Sequence, residues 1–237
     1  RRMTEKTMKT IGLIGGMSWE STVTYYKIIN KTINQKLGGF HSAKILLHSV
    51  DFDEIEKCQA AGDWEKSADI LSEVAKTLEL AGADFIVICT NTMHKVAPHI
   101  QSRINIPIIH IAEETATELK QQHITRVALL GTKYTMTQDF YKEKLESSGI
   151  EVLVPDETSI EFVNNVIFNE LCLGIISETS QEKFRNIIES LAKQGAQGVI
   201  LGCTEIGMLI TQKDTSLPVF DTTLIHATKA AMLALEE

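Results

Sequence analysis

The chain has 237 residues, a formal net charge of −8, 43% hydrophobic and 23% charged residues. This is globular composition, with sequence enough for one large domain or two small ones. There is no Lys/Arg cluster, which makes nucleic acid and anionic membranes poor partners. No 18-residue apolar run or secretory leader is present, so a cytoplasmic location is expected.

Residues 1–7 are polar, precede a second methionine at Met8, and are set aside from the fold. Residues 10–15 form a short apolar run ending in glycine, which predicts a buried parallel strand. A helix is expected over 20–37, stopped by Gly38-Gly39. A strand follows at 44–50, an amphipathic helix at 64–80, strands at 84–89 and 107–110, and a helix from about Glu113. The pattern then restarts. Residues 126–131 predict a strand, 134–148 a helix closed by Gly149, and 151–154 a strand. Helices are expected at 161–173 and 181–193, strands at 198–202 and 218–220, and a last helix from about Leu224. Alternating strands and helices of this length imply an α/β fold of doubly wound parallel sheets.

One half can be laid on the other. Residues 81–91 align without a gap on 194–204, residues 10–16 on 126–132, and 106–109 on 217–220. The offsets are 113, 116 and 111, in the same order along the chain, which points to a duplicated α/β unit. The alignment makes Thr90 and Cys203 equivalent. Each sits just past the carboxyl end of a parallel strand, where open α/β sheets bind ligands. If the halves face each other about a pseudo-twofold, these two side chains converge on one cleft.

Four cysteines occur, with no CxxC and no zinc-like Cys/His spacing. Cys58 and Cys172 read as structural. Cys203 is flanked by Gly202 and Thr204-Glu205 and is expected to open a helix, whose positive end favours thiolate. The backbone N–H groups of Thr204 and Glu205 are candidates to hold a carboxylate. Neighbouring strand residues point to opposite faces, so Cys89 and Thr90 cannot both face the cleft. The repeat puts Thr90 there and Cys89 in the packing, with a local kink as the alternative. Asn91 and Thr92 offer further donors, and His94 is a candidate supporting residue. His110, Asp221 and His226 lie near other strand ends without a rank. The first turn, Gly12-Leu13-Ile14-Gly15-Gly16-Met17-Ser18, has neither dinucleotide spacing nor a P-loop lysine. Its glycines are expected to let backbone approach a small ligand beside Met17, with Ser18 capping the helix.

Three stretches resemble the aspartate/glutamate racemase superfamily: residues 11–22, Thr90-Asn91-Thr92-Met93-His94 and Gly202-Cys203-Thr204-Glu205-Ile206. They occur in order and nearly span the chain. The similarity is to bacterial aspartate/glutamate racemases, including a subgroup with threonine before Asn-Thr. The resemblance implies two pseudosymmetric domains with the active site between them, the first completed by the C-terminal stretch: 8–104 plus 214–237, and 105–213. It implies a cysteine from each half flanking the α-carbon of a small-molecule amino acid, with no pyridoxal cofactor and no metal. It also implies a homodimer.

This chain departs from that pattern at Thr90, where most relatives carry cysteine. A hydroxyl is a far weaker acid than a thiol, so Cys203 is the stronger base and the two enantiomers are expected to turn over unequally. Acid-specific relatives are expected to present a basic residue to the distal carboxylate, yet 159–164 contains no lysine. Gln59 is the polar residue expected nearby. Aspartate or glutamate and a broader amino-acid range both stay open. So do two other functions: a single-cysteine decarboxylase or cis-trans isomerase of the same fold, and a non-catalytic small-molecule binder.

Overall fold

A computed structural model describes residues 7–236; of the polar opening segment, residues 1–6 lie outside them. The chain forms two compact units. One holds the chain up to His110 and from His226 onward, the other Ile111–Ile225. The crossings expected from the sequence lie at 104/105 and 213/214.

In the first unit, β1 (Thr10–Gly15) lies between β2 (Lys44–Ser49) and β3 (Phe85–Ile88), all parallel. β1 and β3 are covered on both faces, which is why they read as unbroken apolar runs. Helix α1 (Trp19–Leu37) is capped by Ser18, whose Oγ accepts from Ser21 N–H, and ends at Gly38. Its Tyr25, Ile29 and Ile33, four residues apart, pack with Ile11, Leu13 and Val87. After β2 come α2 (Phe52–Ala61) and α3 (Trp64–Leu80); after β3 come a 3₁₀ turn (Thr92–Val96) and α4 (Ala97–Gln101).

The second unit has the order β5-β4-β6-β7, again parallel. Along the chain run α5 (Ile111–Gln121), β4 (Arg126–Gly131), α6 (Lys133–Thr137), α7 (Asp139–Glu146), β5 (Glu151–Leu153) and α8 (Glu157–Asn169). A 3₁₀ turn (Leu171–Leu173), α9 (Glu178–Lys193), β6 (Val199–Gly202), α10 (Ile206–Leu209), a 3₁₀ turn (Gln212–Asp214), β7 (Val219–Asp221) and α11 (Thr222–Ala234) follow.

The register of the two sheets carries the internal repeat. Ile14 pairs with Ile88 in one unit, and Leu130 with Leu201 in the other, at the offsets of 116 and 113. Ile86 bridges Ile108 as Val199 pairs with Val219. The strand openings match too. Asp84 Oδ2 accepts from Thr10 N–H, and Gln197 Oε1 from Arg126 N–H. By the same offset of 113, Thr90 is equivalent to Cys203: Thr90 lies two residues past the end of β3 and Cys203 one past the end of β6.

Three expectations change. Residues 107–110 are a single bridge, with Ile86 N–H donating to Pro107 O and Ile109 N–H to Ile86 O, and not a full strand. The helix expected over 134–148 breaks at Gln138, which is extended at φ −88° and ψ 154°. The first-turn glycines make room for protein. A Cβ on Gly12 would lie 2.9 Å from the Ala83 and Ile86 side chains, and one on Gly16 would lie 2.3 Å from Val50 O, at φ +92°. Among the described residues no helix is long and apolar enough to cross a membrane.

Candidate active site

Past β3 the chain bends at residues 89–91, which carry Thr90 and Asn91, and enters the 3₁₀ turn, which carries Thr92 and His94. Cys89 is fully buried in the cluster with Ile11, Tyr25 and Val87. Its Sγ–H is directed at Val87 O at 3.8 Å, and burial pushes its thiol far up. It is packing, as the strand alternation requires. Thr90 is half-buried, while Asn91 and Thr92 are buried.

His94 Nδ1 lies 2.7 Å from the Thr90 carbonyl oxygen, so this nitrogen carries the proton and donates. The contact fixes the backbone at Thr90. Behind it stand two more histidines, His110 at 4.7 Å and His226 at 5.4 Å between ring centres. His226 Nε2 is 2.6 Å from Ile109 O, an acceptor, and so bears the proton. Its Nδ1 then accepts from the Tyr25 hydroxyl at 2.5 Å. Burial first, and the neighbouring histidines second, hold His94 well below the usual imidazole range. Burial lowers His226 to about 4. These residues are separated by up to 201 positions along the chain, and only the assembled sheet brings them together.

Met17, expected beside the ligand, is buried in the apolar cluster with Ile14, Ile55 and Met93. The Met17–Ser18 peptide is cis. Gln59 lies on α2, a helix the sequence reading missed, and its Nε2 donates to Met93 Sδ at 3.1 Å. It is thus tied to the 90s turn through Met93.

Cys203 stands at the end of β6, half-buried against the core of the second unit. Its Sγ–H donates to Glu205 Oε2 at 2.9 Å. The sequence reading expected a helix end to favour thiolate. The helix that follows, α10, has only four residues, too short for much of a dipole. Burial, then the Glu205 carboxylate, raises the thiol well above its ordinary value. The resting sulfur is a thiol with a base in contact. Thr204 Oγ1 is 2.9 Å from Thr223 Oγ1. Asp221 Oδ1 accepts from Thr223 and Leu224 N–H, and burial pushes its carboxyl upward. Thr223 escaped the sequence reading, although its place two residues after a strand-end Asp was a signal.

In the segment searched for a lysine, Glu161 pairs with Lys133 Nζ, and Asn164 Oδ1 accepts from Lys133 N–H. Both members of that ion pair are about half exposed. Among the described residues, no group of three or more His, Cys, Asp or Glu is arranged to hold a metal ion.

Residues 14–230 match the family model described as Asp/Glu/Hydantoin racemase. The "Broad specificity amino-acid racemase RacX" of Bacillus subtilis (strain 168) is 27% identical over 244 residues, covering 95% of this chain and 99% of that protein. The crystal structure of "a putative Asp/Glu Racemase from Yersinia pestis" is 57% identical with a TM-score of 0.93, covering 97% of this chain and 100% of the other. An aspartate racemase homologue from Pyrococcus horikoshii OT3 is 40% identical with a TM-score of 0.85, at the same coverages.

Proposed function

Since the chain belongs to the Asp/Glu/hydantoin racemase family, we propose that it is a cofactor-independent amino-acid racemase in which Cys203 moves the α-proton. Thr90 serves the opposite face of the α-carbon. The observation that carries this reading is the Cys203–Glu205 contact at a strand end that the internal repeat equates with Thr90.

The chemistry follows from the resting protonation. Cys203 arrives as a thiol and hands its proton to Glu205 across 2.9 Å. The ammonium group of a bound amino acid favours the thiolate that results, offsetting the desolvation that held the thiol up. The thiolate then removes the α-proton. The carbanion lies high in energy, so its carboxylate needs preorganised donors. Asn91, Thr92 and Thr204 are proposed for that task, with Ser18 at the start of α1. On the other face Thr90 returns a proton, its backbone held by His94. A threonine hydroxyl does not ionise near neutrality, so a water bound at Thr90 is the natural proton carrier.

The substrate range proposed is broad. The 159–164 segment offers no cation of its own, and the lysine beside it is paired with Glu161. The similarity to a broad-specificity relative supports the same range. A panel of amino acids incubated in heavy water tests this reading: deuterium entering the α-position with loss of optical rotation is expected for several neutral substrates. Burial of Cys89 leaves one thiol at these two strand ends, which favours one second reading: a single-cysteine decarboxylase or cis-trans isomerase. Turnover of a substituted malonate or of maleate, with no α-exchange in any amino acid, would establish it instead.

A further inference from the structure

A proton carrier that does not ionise depends on distance and alignment, so the place of Thr90 matters more than its acidity. The chain around it is held from several sides. Cys89 N–H donates to Ile14 O at 3.0 Å, which carries the β1–β3 ladder one residue past β3. Cys89 O accepts from Ser21 Oγ at 3.1 Å, and Thr90 O accepts from His94. The two peptide groups that flank Thr90 are thus each anchored by a side chain. Ser21 is buried in the first turn of α1. Within a helix a hydroxyl commonly bonds the carbonyl four residues back, as Thr24 and Thr32 of α1 do. Ser21 instead reaches across to Cys89. Its buried neighbour Thr22 holds the other turn: Gly16 N–H donates to Thr22 Oγ1 at 2.8 Å, and Thr22 Oγ1 donates to Ser18 O at 3.1 Å. Adjacent hydroxyls on one helix therefore fasten the turns after β1 and β3 to each other. Tyr25, one helical turn after Ser21 and on the same face, backs His94 through His226.

We propose that Ser21 is a positioning residue for Thr90: its hydrogen bond to Cys89 O sets the place from which the proton returns to the second face of the α-carbon. This rests on the racemase reading above. The bond fixes backbone and not charge, so its loss slows one half of the reaction and spares the other. Cys203 belongs to β6 and has its own proton partner in Glu205. Consider the enantiomer whose α-proton faces Cys203. Its carbanion is reprotonated either by Cys203, with retention, or through Thr90, with inversion. When Thr90 is displaced, removal and return at Cys203 continue, and only inversion is slowed. For the mirror-image enantiomer the first removal already runs through Thr90, so exchange and inversion slow together.

The test compares full-length wild type, Ser21→Ala, Ser21→Thr and Thr32→Val in heavy water, with each enantiomer of the neutral amino acid turned over fastest in the panel above. Two quantities are read: α-deuterium in retained and in inverted product after chiral separation, and exchange of the backbone amides over 89–94. Ser21→Ala is expected to exchange these amides faster than the wild type. Its inversion falls by about 10- to 100-fold, while exchange with retention from the enantiomer facing Cys203 keeps the wild-type rate. Ser21→Thr retains the hydroxyl and returns both quantities toward wild type. Thr32→Val removes a hydroxyl that serves its own helix and changes neither. Equal loss of inversion and retention in Ser21→Ala, an unchanged inversion rate, or the same split in Thr32→Val overturns the proposal. A wild type without α-exchange refutes the racemase reading instead. The amides then decide the Ser21 clamp by themselves, and protection unchanged in Ser21→Ala overturns it.

Discussion

The Cys203 thiol donates to the Glu205 carboxylate at 2.9 Å, and the same carboxylate helps to keep that thiol protonated. A base that both restrains and receives the proton makes an unusual prediction for its removal. In Glu205→Gln the thiol pKa falls, because the second-largest cause of its elevation is gone. Turnover nevertheless falls by about 10²-fold, since no group takes the proton when substrate binds. The thiolate ultraviolet absorbance measured against pH, beside kcat, checks both halves. A variant with lowered thiol pKa and unchanged turnover would remove Glu205 from the chemistry.

In the proposed reaction, Thr90 makes the two faces of the α-carbon chemically unequal. Because the enantiomers have equal free energy in water, kcat/KM must be the same in both directions. The inequality therefore appears as different kcat values compensated by KM. Thr90→Cys is expected to bring the two turnover numbers together, as a thiol on each face restores balance. Progress curves from pure L and pure D substrate measure this, and equal turnover in the wild type would contradict it.

Much of this was legible in the sequence, for identifiable reasons. Strands such as Ile11–Ile14 and Val199–Leu201 are covered on both faces and must be apolar throughout. The repeat was visible because both units keep a Gly-Ala pair, 82–83 and 195–196, followed by a polar residue, Asp84 or Gln197, at the strand opening. Helix α2 was not legible: its buried positions are Ile55, Cys58 and Gln59, too few and too mixed to show a period. The break at Gln138 carries no glycine or proline. The thiolate expected at Cys203 assumed a helix long enough to have a dipole, and α10 is a single turn. Gly12 and Gly16 pointed to close approach correctly, but what approaches is Ala83, Ile86 and Val50.

The histidine cluster carries a stability prediction. His226 titrates at about 4 in the folded chain, below the imidazole's ordinary value. A depressed histidine is neutral when folded and gains its proton on unfolding, so its contribution is whole above the ordinary value and fades as pH falls toward 4. The loss is about 3 kcal/mol from this residue, with His94 adding in the same direction. Urea unfolding at about pH 7 and about pH 4.5 measures it, and a flat profile would contradict it. Tyr25→Phe removes the donor to His226 Nδ1 and leaves that buried acceptor unsatisfied. It should destabilise by about 1–3 kcal/mol at neutral pH.

Gly16→Ala tests the first turn. At φ +92° its Cβ would meet Val50 O at 2.3 Å, with Val50 N at 2.7 Å. Backbone cannot yield as a flexible side chain can, so a loss of about 3 kcal/mol is expected in chemical denaturation. An unchanged midpoint would mean that the turn relaxes freely.

The central claim is that one sulfur, Cys203, takes the substrate's α-proton. The measurement closest to it is α-deuterium incorporation in heavy water by Cys203→Ala beside the wild type, with folding of both verified. The account predicts rapid exchange with the wild type and a loss of about 10³-fold or more in the variant. Exchange that survives in Cys203→Ala at the wild-type rate would contradict it.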